Sequence, residues 1–471
     1  MHLMRTGRRT AAADGRTGSR RSGFRGRLGS KIAVVTAGAT IAAAVGLGSG
    51  GAAVAARPHA RAHGGSTVNL TWWTMWSGAT LQLLNQMVTQ FNKTHPGIHV
   101  TETNIPSDAT TSTAKLLSTI AAGDPPDVFT EWWPEIGSFA ANGDLVNMSQ
   151  YLTGQYAGLE KWLYPVAVQA GTYKGGLYAI PMSLNSWALY YNKPLLAKYG
   201  IKSPPKTLAQ LDADQAKMWV VQGGKIVQMG FYPYTNENGF QFYTSFFGAT
   251  NCFNKAGKYD FEHCPGAIKE MNWIASYDKY PYSQVMALQT ALGQVAGGQT
   301  DIWTNGKSGF ELTGPWEGAQ NIPTSNPDLE GNFGVEPFPG IVGGPSTIGQ
   351  GNFNIIPKGS AHPAQAFEFV AWLAGYHNEK FVGSIDPSGG WVPAGPSVTK
   401  APAYQKWLKQ NPWLSSFLPQ MTSKYTQAPL LTPTQSQLFA AENTATANVL
   451  QKIMTPMQAL KYIDQQANAK S

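Results

Sequence analysis

The stretch that decides the reading of this chain runs from Gly306 to Ala374. It contains Phe310-Glu311-Leu312-Thr313-Gly314-Pro315-Trp316-Glu317-Gly318, then Asn332-Phe333-Gly334-Val335-Glu336-Pro337-Phe338-Pro339-Gly340. Next comes Gly349-Gln350-Gly351-Asn352-Phe353-Asn354-Ile355-Ile356-Pro357. Phe310 to Leu312 is a short apolar strand stopped by the breaker cluster Thr313-Gly314-Pro315. Proline suits the first turn of a helix, so Trp316 sits where a strand gives way to a helix. An indole there projects from a strand end, where open α/β sheets hold ligands. Ala364 to Ala374 follows as an amphipathic helix, announced by His362-Pro363.

Working outward, Val68 to Met75 is β-rich and breaks at Ser77-Gly78, and Leu81 to Phe91 carries apolar residues at helical spacing. Ile98-His99-Val100 begins a second strand, Ala114 to Ala122 a second helix, and Pro126 to Phe129 a third strand. This β-α-β-α-β order predicts an open sheet with helices on its faces. Leu177 to Pro181 and Ala188 to Lys193 flank Met182 to Trp187. Thr207 to Trp219 restarts a helical pattern, and Pro433 to Ala467 reads as two helices separated near Thr455-Pro456. Trp303 lies in a helix-like segment and reads as core.

Net charge over 471 residues is +8. Eleven Lys/Arg and one acid fall within residues 1–63, so the remainder is close to neutral. That argues against nucleic acid, which needs a basic face on the folded body. Charged residues are 13%, about half the usual share of roughly 25%, while tryptophans number fifteen. A neutral, aromatic-rich, amide-rich body suits an uncharged polar ligand. Arg5 to Lys31 forms a basic segment before the uncharged run Ile32 to Ala56, which ends in small residues. This reads as a signal peptide cleaved near Ala56. Ser19-Arg20-Arg21 loosely suggests the twin-arginine route instead of the general one. Retention of the run as a membrane anchor is the other alternative. No cysteine follows the run, so a lipid anchor of the lipobox type is not expected. The two cysteines, Cys252 and Cys264, lie on short arms around a turn. In an exported chain they are expected to pair as a disulfide. Neither cysteine sits in a metal-ligand pattern, and no cofactor or metal is expected.

Phe91-Asn92-Lys93 with Pro96-Gly97-Ile98, Ala122-Gly123-Asp124-Pro125-Pro126-Asp127-Val128, and Gly314-Pro315-Trp316 occur in an order that resembles the family 1 extracellular solute-binding proteins of ABC importers, the maltodextrin-binding-protein-like sugar receptors. The likeness extends from about Val68 to Gln466. It implies a two-lobed α/β fold of the periplasmic-binding-protein type II, with discontinuous lobes joined by a hinge. On that reading residues 1–65 are a targeting segment. One lobe holds 66–183 and 351–401, the other 184–350 and 402–471, with crossovers near Met182–Ser186 and Ser346–Gly351.

A sugar offers apolar faces to flat aromatics and hydroxyls to acids and amides. Trp76 follows the first strand, and its alternative is core. Glu131 and Trp132 follow the third strand in a loop that supplies ligand contacts in the family, the alternative being a capping acid with a packing indole. Asn185 aligns with a ligand-binding acid at the family's hinge, whereas Trp187 reads as hinge packing. Tyr232 and Tyr234 lie with Asn236 and Asn238 where relatives place contacting residues. Gln350, Asn352 and Trp391 lie near the second crossover and in the Gly-rich loop Ser388 to Trp391, the alternative being turn chemistry. Trp316 matches the family's stacking tryptophan.

The resemblance implies a non-catalytic receptor, expected as a monomer, that delivers a carbohydrate to the permease subunits of an ABC transporter. A different class stays open: a secreted carbohydrate-active enzyme, with Glu131, Glu135, Glu311 and Glu317 as available carboxylates. Such an enzyme needs two of them about 5–9.5 Å apart, and nothing in the sequence pairs them. A receptor for a polyol phosphate is a third reading, which no Arg or His cluster supports.

Overall fold

The computed structural model describes residues 67–105, 109–132, 135–235, 239–292 and 302–469. The predicted targeting segment, its cleavage site, Asn236 and Asn238 lie outside the described residues.

The N-terminal alternation folds as its pattern predicts. Strands β1 (Val68–Thr74), β2 (Ile98–Asn104) and β3 (Val128–Trp132) are parallel neighbours, joined by helices Gly78–Thr94 and Ala109–Ala122. Leu84, Met87 and Phe91 form the buried stripe of the first helix. A small hairpin, β4 (Thr172–Tyr173) and β5 (Gly176–Leu177), precedes β6 (Ala179–Asn185). Two residues later the chain enters β7 (Ala188–Asn192) in a different sheet, and a second hairpin, β8 (Val220–Gln222) with β9 (Lys225–Gln228), follows. Strand β10 (Phe310–Thr313) and β11 (Phe333–Glu336) flank β7 antiparallel. The chain then returns through β12 (Gln350–Ile355) and β13 (Val392–Pro393) to the first sheet, whose strand order is β13-β6-β12-β3-β1-β2.

These two sheets organise a two-lobed α/β fold with two clusters of buried side chains. Alternation along β7 serves both clusters. Ala188 and Tyr190 face the first, and Leu189 joins Phe310 and Leu312 in the second.

The crossing segments are tied to one another. The Trp187 N–H donates to Thr347 Oγ1 (2.8 Å), and the Thr347 N–H donates to Thr426 Oγ1 (3.1 Å). Ile348 bridges Gln427 in parallel, and the Gly349 N–H donates to the Gln427 carbonyl (2.8 Å). Three chain segments therefore lie side by side here.

Some local expectations are corrected. β3 continues through Glu131 and Trp132, which are strand residues rather than loop residues, because Phe353 and Asn352 of β12 pair with them. Ser388 and Gly389 belong to helix Glu379–Gly389, so the Gly-rich loop shrinks to Gly390 and Trp391. Trp303 lies in a turn, not a helix, though it is fully buried. The disulfide Cys252–Cys264 is present with Cα atoms 5.9 Å apart. It closes a hairpin in which Phe253 bridges Tyr259 and the Asn254 N–H donates to the Lys258 carbonyl (2.9 Å). Among the described residues no helix is long and apolar enough to cross a membrane.

Candidate functional site

Strand direction decides which residues meet. β1, β3 and β6 all end at one edge of the first sheet, where antiparallel β12 begins. That edge gathers Trp76, Glu131, Trp132, Asn185, Gln350 and Asn352. Gln350 pairs with Asn185, and Asn352 with both Ser183 and Trp132. Paired residues share a face, so Gln350, Asn352, Ser183 and Asn185 point to one side and Glu131 to the other. The Asn352 amide donates to Ser183 Oγ (3.1 Å). Further in, the Trp72 indole donates to Thr130 Oγ1 (2.6 Å), which donates to Asn354 Oδ1 (2.7 Å), and this fixes β3 against β12. Gln350 is fully buried and neither end of its amide meets a protein partner. Buried amides are nearly always satisfied, so the Gln350 amide has hydrogen-bonding capacity that the protein does not use. Trp76 is half-buried against the first cluster, and its carbonyl accepts from the Asn104 amide.

The second sheet carries a different kind of surface near the junction. β7 starts and β10 and β11 end there, with Ala188 paired to Thr313 and Leu189 to Glu336. Trp316 follows β10, half-buried, with its ring edge-to-face to Trp187 (centroids 5.1 Å). Trp187 meets Phe242 at 4.6 Å, and Phe242 meets Phe439 at 6.5 Å. Phe439 packs against both clusters at once. A row of four rings thus runs along the junction. One helical turn before Phe439 lies Gln435, buried beside Gly137, and its amide also meets no protein partner. Gly137 must be a glycine here, since a Cβ would strike the Gln435 amide and the Thr432 backbone.

Two of the contacts between the two sides lie close to these residues. Ser138 Oγ lies 3.3 Å from Ser436 Oγ and donates to the Pro433 carbonyl (3.1 Å). Glu135, beside Ser436, has its carboxyl raised by burial, partly offset by that hydroxyl. At the other place the Gln320 amide donates to the Gly389 carbonyl (2.6 Å) and accepts from Thr80 Oγ1 (3.1 Å). Gly390 abuts the backbone of Trp316 so closely that a Cβ would collide with it. Trp391 comes next, buried, so it lies near Trp316 across the junction.

Tyr232 and Tyr234 are placed elsewhere. Tyr232 sits in the second core beside Trp219 and Tyr277, where burial pushes its phenol up. Tyr234 packs its ring near Tyr282 (5.9 Å). Sequence reasoning missed Phe242, Phe439, Gln435 and Gln320. Away from the junction, Asp260, Glu262 and His263 bring ligand atoms within 4.8 Å of one another beside the disulfide. The His263 imidazole is raised by its hydrogen bond to Asp260.

The model of the bacterial extracellular solute-binding proteins matches residues 77–379. This chain belongs to that family. A binding protein of Brucella abortus is 26% identical over 349 residues, 73% of this solute-binding protein and 79% of the relative. The maltotriose-binding protein of Pyrococcus abyssi is 25% identical over 311 residues, 64% of this chain and 61% of the relative. The structure of CpMnBP1 with mannotriose bound superposes with a TM-score of 0.73 at 27% identity, covering 85% of this solute-binding protein and all of that chain.

Proposed function

We propose that this solute-binding protein is an exported, non-catalytic receptor for a neutral sugar or short oligosaccharide, held between the two sheet edges and handed to an ABC transporter permease. One observation carries the reading: a row of aromatic rings runs along the junction, and the end of the first sheet is lined by uncharged amides, of which Gln350 is buried with hydrogen-bonding capacity to spare. Flat rings cover sugar faces while amides donate to and accept from hydroxyls. Every arginine in the sequence lies at or before Arg61. The described body therefore has no guanidinium fork for a carboxylate or phosphate, which disfavours the polyol phosphate. Relatives that bind maltotriose and mannotriose support the same class.

In this reading one lobe holds residues 66–183 and 351–401 and the other 184–350 and 402–471. Trp316, Trp76, Glu131, Trp132, Asn185, Gln350, Asn352 and Trp391 line the cleft. Tyr232 and Tyr234 support it from the second core. Export follows from the extracellular family.

The glycosidase alternative asks for a free carboxylate pair. Glu311 accepts from Thr235 (2.6 Å) and Glu317 from Asn321 (2.9 Å), which engages both in the protein's own hydrogen bonds. Titration calorimetry with mannobiose, mannotriose, maltotriose and diacetylchitobiose, paired with chromatography of the incubated sugars, tests the proposal. Tight binding without turnover is expected. Cleavage of any of these sugars, or saturation by a phosphorylated polyol alone, overturns it.

A further inference from the structure

We propose that Gln320 is a positioning residue that latches the cleft shut and ties closure to the state of Trp316. The proposal rests on the receptor reading above. Gln320 belongs to a π-helical turn, Glu317–Asn321, that begins directly after Trp316. Such turns are rare and gather at functional sites. Ring and amide therefore ride on the same short turn, and a guest that fixes the indole also fixes the amide.

The amide reaches two elements packed on the other sheet. Its Nε2 donates to the Gly389 carbonyl (2.6 Å), the last residue of helix Glu379–Gly389. Its Oε1 accepts from Thr80 (3.1 Å) in the first turn of helix Gly78–Thr94. A primary amide has a donor end and an acceptor end, and both are used here across the junction. Neither a carboxylate nor an ammonium supplies both. Gly390 completes the contact. Its φ of +65° and the lack of room for a Cβ let the Trp316 backbone approach. These bonds exist only while the two sides touch. They act on how long a guest stays rather than on how it first meets the rings.

Stopped-flow binding of mannotriose to the mature exported protein tests this. Gln320→Ala should raise the dissociation rate about tenfold, as loss of two ordinary hydrogen bonds allows. The association rate should not fall, and the melting temperature of the ligand-free protein should stay unchanged. Thr80→Val should give a smaller rise of about threefold. The double variant should be no worse than Gln320→Ala alone, because both remove one shared interaction. An unchanged dissociation rate, or fully additive effects, overturns the latch.

A ligand-independent readout separates this from failure of the receptor reading. Spin labels at the exposed positions Gln82 and Lys269, one on each side, should report longer distances in ligand-free Gln320→Ala than in the parent. If no neutral sugar binds the parent, the receptor reading fails, yet the distance shift still decides the latch. Identical distance distributions overturn it.

Discussion

The two sides of the junction are built from opposite chemistry. The first sheet contributes Gln350, Asn352, Ser183 and Asn185, with Gln350 fully buried. The second contributes Trp316, Trp187, Phe242 and Phe439. Rings gain free energy from apolar area with little regard to which sugar covers them. Buried amides penalise any guest that leaves them unpaired. The aromatic edge should therefore set how tightly a guest is held, and the amide edge which guest is accepted.

Four experiments can break that division, taken from the largest effect to the smallest. Trp303 is a fully buried indole on no cleft edge, so Trp303→Ala sets the scale for a core ring. It should cost about 3–5 kcal/mol of stability, read as a fall in melting temperature. Trp316→Ala should weaken sugar binding by about 2 kcal/mol or more, roughly thirtyfold, with the fold intact. If calorimetry finds the variant as tight as the parent, the aromatic edge does not hold the ligand. Gln350→Leu should weaken binding by about 1–1.5 kcal/mol, roughly tenfold, and blur selectivity between sugars. Its melting temperature should not fall, because a buried amide without partners is removed. A lower melting temperature with unchanged affinity would assign Gln350 to the core.

The fourth experiment compares the cores themselves. Glu270 and Glu442 lie buried together between helices Pro265–Ala275 and Gln435–Leu450, with Tyr243 and Tyr259 nearby. Burial raises both carboxyls well above the ordinary value of 4.5, and the neighbouring Glu442 carboxylate raises Glu270 further. The folded state keeps protons that the unfolded chain releases. Stability should therefore be greatest below about pH 4.5 from these groups and decline as pH rises toward their raised values. Glu442→Gln should flatten that decline in thermal melts across the pH range. An unchanged slope would show that the pair does not stay protonated in the folded protein.

The aromatic edge was legible in part. Trp316 announced itself through a strand end and the Gly-Pro that follows it. Asn185 was reached through the family resemblance and Gln350 and Asn352 through the second crossover, and all three lie in paired strands at the end of the first sheet. Phe242 and Phe439 were not legible. Each lies in a helix whose apolar pattern serves the core equally well, and nearly two hundred residues of sequence separate them. Their ring contact is a product of packing alone. Gln320 was hidden for a related reason. Its partners, Thr80 and Gly389, are 240 and 69 residues away, and no periodicity connects such positions. Tyr232 shows a further limit: a loop dense in aromatics and amides reads as a binding loop, while the structure packs its first tyrosine in the second core. β3 ran two residues longer than its apolar run suggested, because β12 supplied partners for its end.

The position of β12 has a consequence for how the molecule is made. It lies in the middle of the first sheet, between β3 and β6, yet it follows both by well over a hundred residues. Until Gln350–Ile355 has been synthesised, β3 and β6 have no common neighbour and the sheet remains open along its centre. Pairings of such long sequence separation bear the loop-closure cost first and form slowly. A nascent chain thus cannot lock its first half early, whatever the local quality of the β-α-β-α-β start. For a protein that must leave the cytoplasm, this built-in delay leaves time for a chain still unfolded to be threaded through a membrane.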